Sequence, residues 1–340
     1  MKVLLTDAAY HQLTKSVDFF YDILRSGFET SRYYFKGTYN VSIPPELVDA
    51  ADAVVAFQTV LGRRSFVVDG KPCVYVPMYD ADWGSRSLWR RIALSGTFVI
   101  SFCNEISKRA RRGGLPGNRL LDVRYAFDPD SYTDCQGDPR VAALWDRGQV
   151  GIDVLRKLFP PKFFRKIILF RRLKSGVVFK PLDDRVVSDY NIVVQESEFL
   201  PKDEYFKLLK EPGVYIAPRW QEGIGMSFLE QLAMGKCVIA HDDGTMNEYI
   251  ENGVNGIVRD FRGTCERVRR EDIDFVRGRV LERSREQYAR WLKDREKIVP
   301  FVKAAANGGP VRLGSLRDDF WFLSYLVEAA LARFGFNFWR

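Results

Sequence analysis

The sequence predicts an α/β protein of two domains, each a parallel sheet covered by helices, the two facing across a cleft. Three observations carry that expectation. Short apolar runs alternate with stretches of helical spacing along most of the chain. The alternation breaks at "DPDSYTDCQGDPR", rich in Asp, Pro and Gly, which reads as a linker. A chain of 340 residues with 46% apolar content also exceeds the ~250 residues that a single core ordinarily organises.

The first domain, residues 1–135, opens on the buried strand "KVLLT" and continues into "SVDFFYDILRSGF", whose apolar residues have helical spacing. "DAVVAFQ", "CVYVPMYD" and "TFVISF" read as further strands. "SFCNEISKRARRGG" runs from a strand end into a basic helix stopped at Gly113 and Gly114, and "RLLDVRYAF" is a last strand closing at Asp128. In the second domain, residues 136–310, the strands are "VAALW", "KIILF", "NIVVQ", "GVYIAP", "CVIAH" and "GIVRD". Between them "GIDVLRKLF", "KDEYFKLL", "GMSFLEQLAMG" and "MNEYIENG" read as helices, so the sheet is parallel and buried on both faces. The pattern from Glu271 to Ala306 is helical. Residues 311–340 hold a terminal helix, "DDFWFLSYLVEAALARFGFNFWR", apolar enough to need a core and expected to pack back on the first domain.

Composition excludes several classes. The five cysteines (Cys73, Cys103, Cys135, Cys237 and Cys265) are odd in number, scattered, and form no CxxC pair. With only two histidines, neither a disulfide framework nor a zinc site is expected. "MKVLLTDAAYHQ" is too short in apolar residues for a secretory signal, and no run reaches the ~18 residues that span a bilayer, so a cytoplasmic protein is expected. The net charge of +8 has its basic clusters in "KRARRGG" and "KFFRKIILFRRLK", which suit nucleic acid, an anionic membrane surface or phosphate-bearing substrates, or equally a solvated basic face. No G-x-G-x-x-G follows the first strand, so a dinucleotide oxidoreductase is not expected.

The chemistry concentrates around "EGIGMSFLE". Residues 219–224 fall in a strand-to-helix loop, where open α/β sheets place ligands. The unpaired N–H groups of Ile224, Gly225 and Met226 point into the cleft there, a ready site for an anion or a hydroxyl. Gly223 and Gly225 let a ligand approach the backbone. Glu222, acceptor-only when ionised, suits a polyol, and Glu230, further along the helix, can take both hydroxyls of a ribose. A Glu before and within a helix start is common on structural grounds alone.

The surrounding block gives the pair its weight. "APRWQEGIGMSFLEQLAMGKCVIAHDDGTMNEYIENGVNGIV" resembles the donor-binding block of the GT-B glycosyltransferases of family 4, the glycosyl transferases group 1. "TFVISFCNEISKRARRGGLPGNRLLDVRYAFDPDSY" resembles the close of their N-terminal domain, with Asp128 at its Asp position. The resemblance implies a GT-B fold of two Rossmann-like domains, with the C-terminal helix crossing back to the first. It implies an enzyme that moves a sugar from a nucleotide diphosphate sugar to a glycan or lipid-linked saccharide, with retention, in polysaccharide or glycoconjugate biosynthesis. No metal and no other cofactor is implied.

By that resemblance Glu222 holds donor sugar hydroxyls near the reacting carbon, and Glu230 holds the ribose. Gly223, Ile224, Gly225 and Met226 line the sugar and phosphates, and Gly244, Thr245 and Met246 form a loop near the diphosphate. "ALWDRG" resembles the first strand of the family's second domain, which brings Arg147 and Gly148 to the diphosphate. Where the family carries a Lys, this chain has Gln149 and Val150; Arg172, Lys174 and Arg219 are the cations at hand to replace it. On the acceptor side stand Asp7 and His11, in a first loop without glycines, and Asp80 and Asp82 in "VPMYDADWG". Asp80 with Asp82, and Asp128 with Asp130, form D-x-D pairs; roughly one arises by chance in such a length, so neither is read as a metal site. The basic clusters and the terminal "GFNFWR" suit an anionic bilayer and a peripheral enzyme; nucleic acid is not an expected partner. The competing readings are a non-catalytic GT-B scaffold, a nucleotide-sugar epimerase of similar fold, and a nucleic-acid-binding α/β protein, which leaves the carboxylates without a role.

Overall fold

The computed structural model describes residues 1–36, 43–58, 70–81, 85–172, 179, 181–197 and 202–309, with Ser324, Val327, Glu328, Ala330 and Leu331. The chain divides into two compact units, one of Met1–Arg124 with Trp291–Arg340 and one of Tyr125–Arg290. Sequence reading placed the divisions at 135/136 and 310/311.

In the first unit the elements run β1 (Lys2–Ala8), α1 (His11–Thr14), α2 (Asp18–Arg25), β2 (Glu29–Phe35), α3 (Pro45–Asp49), β3 (Ala53–Phe57), β4 (Cys73–Val76), α4 (Arg86–Leu94), β5 (Phe98–Ser101), α5 (Asn104–Arg112) and β6 (Leu120–Asp122). All six strands are parallel, in the order β2-β1-β3-β4-β5-β6. The central strands are Val- and Ala-rich and buried on both faces, β3 along its whole length. Trp89 of α4 and Ile106 of α5 complete the core on one side with no exposed surface. Phe20 and Leu24 of α2 are equally covered.

The second unit follows with β7 (Asp138–Trp145), α6 (Ile152–Leu158), β8 (Lys166–Arg172), α7 (Asp184–Tyr190), β9 (Ile192–Ser197), α8 (Lys202–Lys210), β10 (Pro212–Ile216), α9 (Met226–Ala233), β11 (Cys237–His241), α10 (Met246–Tyr249), β12 (Ile257–Arg259), α11 (Arg270–Arg277) and α12 (Val280–Arg295). Its strands are parallel in the order β12-β11-β10-β7-β8-β9. The order reverses between β7 and β10, and the loops beyond their carboxyl ends diverge there, which makes that point the natural ligand crevice. The two units are therefore Rossmann-like α/β domains.

From Trp291, inside α12, the chain belongs to the first unit, where α13 (Ile298–Gly308) packs on α2 and β4. A Cβ on Gly27 would lie 2.3 Å from Val299, so glycine permits that close approach. Trp291 meets the rings of Phe19 at 5.9 Å and Phe102 at 6.4 Å. The five described residues beyond 309 are helical. Glu328 accepts hydrogen bonds from Ser85 Oγ and from Ser87 N–H and Oγ at the start of α4, where Ser85 also caps Leu88 N–H.

Several elements differ from the sequence reading. β2, "ETSRYYF", is an edge strand with mixed polarity and so carries no buried-strand signature. α4, rich in arginine, was likewise not expected. "RLLDVRYAF" is ladder-paired only over Leu120–Asp122. The last residues of the linker segment, Asp138–Arg140, already belong to β7. "MNEYIENG" is helical only to Tyr249, because the Asn255 side chain takes over, donating to Tyr249 O and accepting from Glu251 N–H. None of the five cysteines forms a disulfide, and no described helix is long and apolar enough to cross a membrane.

Candidate functional site

At the β7 edge the chain leaves the sheet through Trp145, Asp146, Arg147 and Gly148. Gly148, with φ +75°, turns the backbone, and its N–H donates to Asp146 Oδ1 at 3.2 Å. Asp146 also pairs with Arg171 of β8 at 3.2 Å. Arg147 is exposed and lies over the Trp145 ring, 4.7 Å from its centroid. Among the described residues no carboxylate pairs with it, so the charge is available to an anion. Gln149, exposed beside the buried Val150, ties this loop to the next one by accepting the Trp220 backbone N–H at 3.0 Å.

At the β10 edge, residues 217–225 lead into α9. The Glu222 side chain keeps 14% of its surface exposed and faces Arg219 at 3.9 Å, while Gly223, Ile224 and Gly225 are buried. Gly225, at φ +80° and ψ +39°, precedes the first turn. An added Cβ would stand 1.9 Å from Phe228 Cε1, so only glycine fits. The first helical bonds of α9 reach Gly225 O from Phe228 and Leu229. Among the described residues the N–H groups of Ile224, Gly225 and Met226 meet no acceptor, and the positive end of the α9 dipole is aimed at that point.

The third wall is the loop after β11. Asp243 accepts from Gln221 Nε2 at 3.0 Å and from Gly244 N–H at 2.6 Å. Thr245, wholly buried, holds φ +74° and ψ −58°, a rare conformation for a β-branched residue. Its hydroxyl donates to Glu222 O at 2.6 Å, with Gly223 O at 3.3 Å. Thr245 therefore clamps the backbone that carries Glu222, a side-chain task the sequence did not disclose. Met246, fully buried, opens α10 behind it. His241 ends β11, accepting Phe261 N–H at Nδ1, and its ring meets Trp220 edge-on at 5.3 Å.

Glu230 lies in the second turn of α9, between Tyr132 and Tyr205. Beneath it Lys236 is fully buried; desolvation pulls its ammonium down to about 7, and Nζ donates to Leu209 O near the end of α8. Of the cations named as substitutes for the absent Lys, Arg172 ends β8, Arg219 is paired with Glu222, and Lys174 lies outside the described residues.

On the first unit, Asp7 and His11 sit at that sheet's own reversal point, between β1 and β3. Asp7 is completely buried. Its carboxylate accepts from Ala8 N–H at 2.8 Å and Arg32 Nη2 at 2.6 Å, and His11 Nδ1 is bonded to it as well. The chain's own groups thus surround Asp7, and it orients His11. Asp80 is exposed on the turn after β4; Asp82 lies outside the described residues. Asp128 caps the turn at Asp130, and Asp130 pairs with Arg285 at 3.0 Å, so that D-x-D is occupied structurally. Among the described residues, no three of His, Cys, Asp and Glu converge as metal ligands.

The family described as glycosyl transferases group 1 matches residues 190–291, the stretch from β9 to the middle of α12. Comparison with curated proteins by sequence finds no match. Solved structures align over most of the chain. Anabaena HepE, in complex with UDP and glucose, is 14% identical with a TM-score of 0.58, covering 89% of this chain and 100% of its own. A Rickettsia africae glycosyltransferase is 12% identical at 0.59, covering 89% and 98%. Sucrose-phosphate synthase from Thermosynechococcus elongatus is 10% identical at 0.59, covering 89% and 98%. The fold they share with this chain is GT-B.

Proposed function

We propose that the protein is a glycosyltransferase that moves a sugar from a nucleotide diphosphate sugar to a glycan or lipid-linked saccharide, with retention, in polysaccharide or glycoconjugate biosynthesis. One observation carries the reading. At the β7/β10 reversal point Arg147, which among the described residues pairs with no carboxylate, the α9 N-terminus with its N–H donors unpaired there, and the Glu222 carboxylate belong to neighbouring loops, giving cationic, N–H and acceptor character to one crevice edge. That combination suits a diphosphate joined to a polyol. The family match over residues 190–291 supports it, and UDP, found with Anabaena HepE, is the first nucleotide to try.

In the reaction the bond from the anomeric carbon to the diphosphate oxygen breaks, its electron pair leaving with the nucleoside diphosphate. The acceptor oxygen bonds to the same carbon, and its proton passes to the departing phosphate. Arg147 and the α9 N-terminus stabilise the charge that develops on the leaving group, without a metal. Glu222 fixes the sugar and Glu230 the ribose. Asp7, His11, Asp80 and Asp82 belong to the acceptor side. The enzyme works in the cytoplasm, peripherally on an anionic membrane surface held by its basic clusters.

A thermal-shift panel of UDP, GDP, CMP, ADP and dTDP on the wild type and Glu230→Ala tests the reading. At a hundred times its dissociation constant a ligand stabilises by about 2.7 kcal/mol. One nucleotide shifting the wild type and not the variant is expected; no shift with any of them contradicts it.

A further inference from the structure

Glu230 meets two phenols, one at each carboxylate oxygen. Tyr132 donates to Oε1 at 3.2 Å, and the Tyr205 hydroxyl reaches Oε2 at 3.5 Å. Tyr132 follows the short turn Pro129–Ser131, whereas Tyr205 belongs to α8, so unconnected segments fix the plane of one carboxylate. The phenols are themselves held by rings. Tyr205 lies 6.2 Å from Trp145 and 6.1 Å from Phe206; Tyr132 lies 6.1 Å from Phe127 and 6.0 Å from Phe206. Trp145 in turn carries the Arg147 guanidinium, so Tyr205 links Glu230 to the phosphate-side loop. Desolvation, and after it the Glu230 charge, raises both phenol pKa values, which keeps the hydroxyls protonated as donors. Apolar side chains would fill this space without the cost of a half-buried carboxylate.

We infer that Tyr132 and Tyr205 are positioning residues that aim the Glu230 carboxylate at the vicinal diol of the donor ribose, and so set a preference for ribo- over 2′-deoxyribonucleotides. The inference rests on the reading of Glu230 as a ribose ligand. A carboxylate takes two neighbouring hydroxyls only when both oxygens face them. Held in that pose, it is left incompletely paired by a deoxy sugar; one that rotates freely re-aims and discriminates less.

The test is a set of dissociation constants for UDP, 2′-deoxy-UDP, GDP and 2′-deoxy-GDP with the wild type, Tyr132→Phe, Tyr205→Phe and the double variant. The wild type favours the ribo member of its preferred pair. Each single variant lowers that ratio about threefold and the double variant about tenfold, with deoxynucleotide affinity nearly unchanged. In turnover the donor KM rises while kcat holds. Equal weakening of ribo and deoxy forms marks a merely structural role and overturns the inference. Tighter ribonucleotide binding by the Phe variants overturns it too, since the phenols would then be occupants that the ribose displaces. A wild type that binds none of the four nucleotides removes the donor-site reading and the inference together. Wild-type discrimination that persists unchanged in the variants removes the inference alone.

Discussion

Replacing Thr245 with Val deletes one hydroxyl from a buried clamp while preserving side-chain shape. The hydroxyl bonds Glu222 O at 2.6 Å from a residue with no exposed surface. Losing it deprives a buried carbonyl of its donor, which costs about 2 kcal/mol within a usual span of about 1–3 kcal/mol. For a folding unit of some 150–250 residues, a size that includes 125–290, about 2 kcal/mol lowers Tm by about 4–8 °C. Val keeps the β-branch, so the strain at φ +74° is retained and the change isolates the hydroxyl. Thr245→Ser keeps the hydroxyl and loses only a methyl, so its expected loss is smaller. The assay is thermal melting with and without nucleotide: Val lowers the melting point and weakens the nucleotide shift, because the backbone of Glu222 and Gly223 is released. Wild-type melting and binding in Thr245→Val, or equal damage from Ser, would refute the clamp.

Two further outcomes follow from the same geometry. Arg147→Ala removes an exposed cation–π contact worth about 0.5–1 kcal/mol, so melting moves by no more than about 2–4 °C; nucleotide release from the sugar donor slows by about a hundredfold, measured at saturating donor. Lys236 is neutral-favouring in the fold, at about 7 against an ordinary 10.5. Between these values the unfolded chain binds more protons than the folded one, so stability rises with pH from about 7 upward, by up to about 1.4 kcal/mol per pH unit. Lys236→Met removes that rise, read from denaturant melts between pH 7 and pH 9.

The fold was legible where burial on both faces leaves an unbroken apolar run, as in "DAVVAFQ" and "CVIAH", which became β3 and β11. It was illegible at β2, whose edge position admits the polar run Glu29, Thr30, Ser31 and Arg32 ahead of Tyr33, Tyr34 and Phe35, so no apolar run or strict alternation marks it. That omission had a consequence at the acceptor side. Asp7 stood out in the sequence as an acceptor-contact carboxylate, yet Arg32, brought by β2, reaches it at 2.6 Å. The Glu222–Met226 loop could be located because Pro218 and the glycines mark a strand-to-helix passage. Tyr132 could not be connected to Glu230 by any local pattern, since 98 positions separate them and only the sheet order brings them together. The Thr245 clamp was hidden for a related reason: its positive φ has no signature in a threonine.

The most direct test of the central claim is nucleoside diphosphate release from a panel of UDP- and GDP-sugars with glycan and lipid-linked acceptors, by the wild type and Glu222→Gln. The account predicts release by the wild type with one donor class, and a loss of about a hundredfold in the variant, whose affinity for the free nucleotide is kept. Release that is unchanged in Glu222→Gln, or nucleotide binding with no donor turned over under any acceptor, would contradict it.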